Sequence, residues 1–74
     1  MTDSGDTMIY TLTSQDMNDL GRNNHVLDAD NISDAEVEAI EVLDEYGCEP
    51  TGVIWGYDSA DAMENNRISG SLNI

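Results

Sequence analysis

Ser33-Asp34-Ala35-Glu36-Val37-Glu38-Ala39-Ile40-Glu41-Val42-Leu43-Asp44-Glu45-Tyr46-Gly47 carries the densest set of local signals in the chain. Ser33 and Glu36 have the S-x-x-E spacing of a capping box, and Ile32 and Val37 flank the cap at the spacing of a hydrophobic staple. At about 100° per residue, Ala35, Ala39, Ile40, Val42, Leu43 and Tyr46 gather on one side, and Gly47 stands where a left-handed residue ends a helix. The pattern predicts an amphipathic helix over 34–46, with Ile40 and Leu43 in the middle of its buried face.

Outward from that helix the chain alternates short apolar runs with turn formers. Upstream, Met8-Ile9-Tyr10-Thr11-Leu12 places Met8, Tyr10 and Leu12 on one face of a strand. Thr13 or Ser14 can cap a short helix running to about Asn23, with Met17 on its inner side. Asn23-Asn24 breaks that helix, and Val26-Leu27 supplies only two apolar residues before the turn cluster at 28–31. Downstream, Glu49-Pro50 stops further helix, and Val53-Ile54-Trp55-Gly56-Tyr57 reads as a second strand with Val53, Trp55 and Tyr57 on one face. Asp58 or Ser59 caps a last short helix to about Asn66, and a Ser/Gly-rich segment leads to an edge strand at Leu72 to Ile74. The expected fold is α+β: a small sheet of two or three strands, the long acidic helix packed on one face, and two short helices. Residues 8–74 form one small domain in this reading, and residues 1–7 a flexible N-terminus.

Charge sets the bounds on function. In 74 residues, 16 Asp and Glu face two Arg and no Lys, for a formal net charge of −14. Such a surface repels phosphate, which excludes direct binding to nucleic acid or an anionic membrane and favours a basic protein partner. Hydrophobic residues still make up 39% of the chain and recur with helical and strand periods, so the sequence is expected to fold despite its charge. The single Cys48 allows no internal disulfide, and no apolar run reaches the length of a signal segment or membrane span, which together point to the cytoplasm.

Chemistry is hard to place on this composition, and the chain is read as neither an enzyme nor a cofactor or metal protein. His25 and Cys48 cannot form a metal site alone, and Cys48 lies among Asp44, Glu45 and Glu49, where negative charge raises a thiol pKa and blunts its reactivity. Asp28-x-Asp30 begins like a calcium loop. Ile32 then occupies the fifth position, Ser33 stands at the required glycine and Ala39 at the bidentate glutamate, so the motif fails. No glycine-rich phosphate loop is present.

What remains is the arrangement of the acids. Asp34, Glu38, Glu41 and Glu45 fall at i, i+4, i+7 and i+11, a ridge expected opposite the apolar face, with Asp44 at its margin and Asp28 and Asp30 extending it. At 1.5 Å per residue the four carboxylates span about 16 Å, roughly one charge per 5 Å, against one per 3.4 Å of axis along a DNA strand. Like charges at these spacings each cost a helix about 0.2–0.5 kcal/mol, and Asp44 and Glu45 also oppose the helix dipole in its last turn.

In size, acid-to-base ratio and this carboxylate ridge, the chain resembles the small acidic proteins of phages and mobile elements that mimic double-stranded DNA, anti-CRISPR proteins among them. The resemblance implies an inhibitor that occupies the duplex-binding cleft of a basic nucleic-acid-binding effector, with a type I CRISPR surveillance complex as the expected target. Two other readings fit the same composition. One is an acidic regulatory or antitoxin-like partner of a basic protein; the other is a small halophile protein acidic for solvation in molar salt.

Overall fold

The computed structural model describes residues 8–22 and 24–74, so the expected flexible segment 1–7 lies outside the described residues. The elements in chain order are β1 (Ile9–Thr13), α1 (Gln15–Asp19), β2 (His25–Leu27), α2 (Ile32–Glu45), β3 (Val53–Tyr57), α3 (Ala60–Glu64) and β4 (Gly70–Asn73). The strands form one sheet in the order β2-β1-β3-β4, with every neighbouring pair antiparallel. This corrects the expected sheet of two or three strands to four. The missed strand is β2, three residues long, which no periodicity can announce. It forms because Leu27 reaches the core while its backbone pairs with Tyr10 on β1. The two short helices are single five-residue turns, and α1 ends at Asp19, well before Asn23, where Gly21 takes a φ of +78°.

Register assigns every strand residue to one of two faces. Tyr10 and Leu12 on β1 pair with Gly56 and Ile54 on β3, and all four face α2. Leu27 and Leu72 continue these rows outward. Against them α2 presents Ala35, Ala39 and Leu43, spaced i, i+4, i+8, and α1 adds Met17; Leu12, Met17, Ala35, Ala39, Leu43 and Ile54 are fully buried. The two alanines on this stripe let the helix lie close to the sheet. Ile40, expected in mid-core beside Leu43, lies about 100° round the helix from Ala39 and is 41% exposed.

The start of α2 also differs from expectation. Its N-cap is Asn31, not Ser33: the Asn31 Oδ1 accepts the Asp34 N–H at 2.9 Å, and its Nδ2 donates to the Asp34 carboxylate at 3.0 Å. This reciprocal pair performs the job of a capping box two residues earlier than Ser33 and Glu36 would. The helix therefore includes Ile32, and both intended staple residues, Ile32 and Val37, are exposed.

The other face of the sheet carries Ile9, Thr11 and Thr13 on β1, Val26 on β2, Val53, Trp55 and Tyr57 on β3, and Ser71 and Asn73 on β4. Val53, Trp55 and Tyr57 thus share a face, and it is the one turned away from α2. None of these nine positions is charged. Trp55 Nε1 donates to Thr13 Oγ1 at 3.2 Å, and Thr13 Oγ1 donates to Asn24 Oδ1 at 2.9 Å. Between Val26 and Trp55 lies Thr11, 2% exposed, whose hydroxyl has no hydrogen-bond partner among the described residues.

Candidate acidic surface

Helix α2 carries the expected ridge, and the structure divides its members by what they touch. By helical geometry Glu38 lies about 100° from Ala39 and Glu41 about 160°, so the ridge climbs from the helix flank to its crest instead of standing wholly opposite the core. Glu38 is half-buried, and both its oxygens accept the backbone N–H of Asp28, at 3.0 and 2.9 Å. A charged acceptor here holds the chain as it leaves β2 and turns into α2. Asp34 is bound into the cap by Asn31 and sits in the first turn, where the helix dipole favours an anion. Two of the four ridge acids therefore have local structural work, and only Glu41 and Glu45 have no side-chain partner among the described residues.

The remaining expected site residues, Asp28, Asp30 and Asp44, are exposed. The Glu38 hydrogen bonds bring Asp28 to the ridge, and Asp44 stands about 60° round the crest from Glu41. Asp30 lies in the loop before the Asn31 cap and makes no hydrogen bond or ion pair among the described residues. Sequence reasoning missed the acids at the far end of α2. The Asp16 carboxylate on α1 accepts the Glu49 N–H at 3.2 Å, and Asp16 and Asp19 line a shallow groove with Leu20, Tyr46, Gly47 and Cys48. This adds Asp16, Asp19 and Glu49 to the same end as Asp44 and Glu45. The i, i+3 pair of acids on a predicted helix was the available signal.

An apolar residue also stands in this field. Val37, 58% exposed, is flanked along the helix by Asp34 at i−3, Ile40 at i+3 and Glu41 at i+4. The acidic surface thus has an aliphatic spot at its crest.

Neither described cation neutralises the ridge. Arg67 pairs with Asp61 at 2.8 Å, with both side chains largely exposed, and Arg22 lies over the Tyr46 ring at 4.7 Å from its centroid. Tyr46 also meets His25 in a T-shaped contact, with ring centroids 6.5 Å apart. Cys48 is a free thiol, and partial burial, then the Asp16 carboxylate, push its pKa upward. That direction keeps it protonated near neutral pH. Among the described residues no three His, Cys, Asp or Glu side chains gather as a metal site, and no helix is long and apolar enough to cross a membrane. No family model, no curated protein and no solved structure matches the chain.

Proposed function

We propose that the protein is a non-catalytic acidic inhibitor that occupies a basic, duplex-binding cleft of a nucleic-acid-binding protein, acting in the cytoplasm as a mimic of the DNA backbone. The observation that carries this reading is the one-sided placement of charge. Asp28, Asp30, Asp34, Glu36, Glu38, Glu41, Asp44, Glu45 and Glu49, nine of the 16 acids, belong to α2 and its two flanking loops, whereas the nine positions on the far face of the sheet carry none. A clustered field of one sign steers a basic partner and fixes its orientation. An anti-CRISPR target, a surveillance complex that reads duplex DNA, is the specific partner class this surface suits.

The second reading, solvation in molar salt, draws support from Asp16, Asp19, Asp58, Asp61 and Glu64, which spread acids onto or beside α1 and α3. The two readings part in a capture experiment. The chain is immobilised, exposed to the candidate effector, and challenged with duplex DNA at physiological salt. The mimic reading expects release by the duplex, and loss of capture for the Glu41→Lys/Glu45→Lys double variant but not for Asp58→Lys/Glu64→Lys, a change of equal charge elsewhere. If both double variants weaken capture equally, or duplex DNA does not compete, net charge alone is at work and the mimic reading fails.

A further inference from the structure

The two outer strands of the sheet differ in how they are defended. An unpaired strand edge is a template for another strand unless it is short, charged, interrupted by proline or covered. Strand β2 is short, three residues, and leads straight into Asp28 and Asp30. Strand β4, four residues long, carries no charge and no proline. It lies in residues 65–74, a ten-residue stretch that contains no Asp, Glu, Lys or Pro and a single Arg, the longest acid-free stretch in the chain. Among the described residues no strand pairs with its outer edge.

The hydrogen bonds show which groups face outward. Gly52 and Ile74 exchange backbone hydrogen bonds, the Ile74 N–H donating at 2.9 Å and the Gly52 N–H at 3.2 Å. Because the direction alternates along an antiparallel strand, Leu72 and Gly70 also point inward to β3, and Ser71 and Asn73 present their N–H and C=O groups to the outside. Beside this edge, on the helix side, lies a groove of about 250 Å³ lined by Met8, Tyr10, Ile32, Gly56, Gly70 and their neighbours. Its floor is bare because Gly56 and Gly70, paired across β3 and β4, have no side chains, and a Cβ on Gly56 would stand 3.2 Å from the Tyr10 ring.

We propose that β4 pairs antiparallel with β4 of a second copy, joining two sheets into one of eight strands. Two symmetric registers pair outward groups and also set an aliphatic residue against Gly70, with the two-fold axis at Ser71 or at Leu72. In the first, Leu72 of one copy lies directly beside Gly70 of the other; in the second, Ile74 does. Either way an aliphatic side chain from each copy enters the hollow that the glycines leave in the other, so one strand supplies both the projection and the recess. Such self-complementarity is what a two-fold interface requires. Charge also selects this edge. Two chains of −14 repel, and contact through their acid-free stretches keeps the acidic surfaces apart. The axis stands perpendicular to the joined sheet, so both α2 helices lie on the same side of it.

Sedimentation equilibrium of the full chain tests this, from about 10 μM to about 1 mM, at about 0.15 M and 0.5 M NaCl. The expected result is a reversible species of twice 8.1 kDa that tightens as salt rises. Ser71→Pro removes an outward N–H without touching the β3 pairing, and Ser71→Asp places a charge at the seam; each should raise the dissociation constant by about tenfold or more. A chain that stays at 8.1 kDa throughout overturns the proposal, as does a dimer that survives in a folded Ser71→Pro variant. Should both variants fail to fold, amide exchange of the parent chain decides: protection of Ser71 and Asn73 must rise with protein concentration, and protection independent of concentration refutes the pairing.

Discussion

The two faces of the sheet are made by alternate residues of the same strands, yet they are closed by different means. Under α2, Leu12, Leu27 and Ile54 meet Ala35, Ala39 and Leu43, and burial is complete. On the far side, Thr11, Thr13, Val53 and Trp55 form a mixed surface held by hydroxyl and indole hydrogen bonds, with Val26 53% exposed at one end. The first face stabilises by excluding water under α2; the second stays uncharged, with Thr11 and Tyr57 buried on it. The acids are thus concentrated on the outside of the helix layer, and the face that could have shared them has none. In a chain this acidic, that contrast separates the part that folds the molecule from the part that gives it a charged surface.

The largest expected effect breaks the buried face. Leu43→Ala should destabilise by about 2–5 kcal/mol, and Ile40→Ala, three residues earlier but on the flank, by less than about 1 kcal/mol, measured by urea denaturation. Equal losses would mean that α2 is turned on its axis relative to the sheet. Next comes the helix ridge. Glu38→Gln weakens the charged acceptor of the Asp28 N–H and should cost about 1–2 kcal/mol, whereas Glu41→Gln removes a like-charge neighbour and should gain a few tenths. A gain at both positions would make Glu38 a surface charge like the others.

On the far face, Thr11→Val replaces a buried hydroxyl without a partner by a methyl of similar shape, and thermal unfolding should show a gain of about 0.5–1.5 kcal/mol. A loss there would reveal that the hydroxyl is hydrogen-bonded in solution. The smallest effect is collective. Raising NaCl from low to physiological strength should lift Tm by a few degrees and then level off, as screening of the acidic layer saturates over a Debye length of about 8 Å. Folding only near molar salt would instead favour the solvation reading.

The parts of the fold that the sequence made legible are those in which one residue type meets one local rule. Gly47 ends α2 with a φ of +73°, Ser14 caps α1 by accepting the Met17 N–H, and Tyr10 and Leu12 share the core face of β1. The rest depended on tertiary partners. Three residues of β2 hold too little pattern to reveal a strand, and Asn31 outcompetes Ser33 as cap because it can both accept from and donate to Asp34. Ile40 read as core because hydropathy ranks it above alanine, while close packing of helix on sheet selects Ala35 and Ala39. For the candidate surface, helical spacing put Asp34, Glu38, Glu41 and Glu45 on one side of α2. It could not show that Glu38 is tied to Asp28, or that Asp16 folds back against Glu49 from 33 residues away.

The hydrogen bond from Trp55 to Thr13 has a spectroscopic consequence. The chain has one tryptophan, and its register places it between Thr11 on β1 and Ser71 on β4, with its indole proton linked through Thr13 to Asn24. A single chromophore therefore lies across three strands on the uncharged face. Its emission maximum follows water reaching that face, and its indole resonance follows the bond to Thr13. Loosening at the β2 end and closure at the β4 end would register in two separable signals from one ring, without any added label.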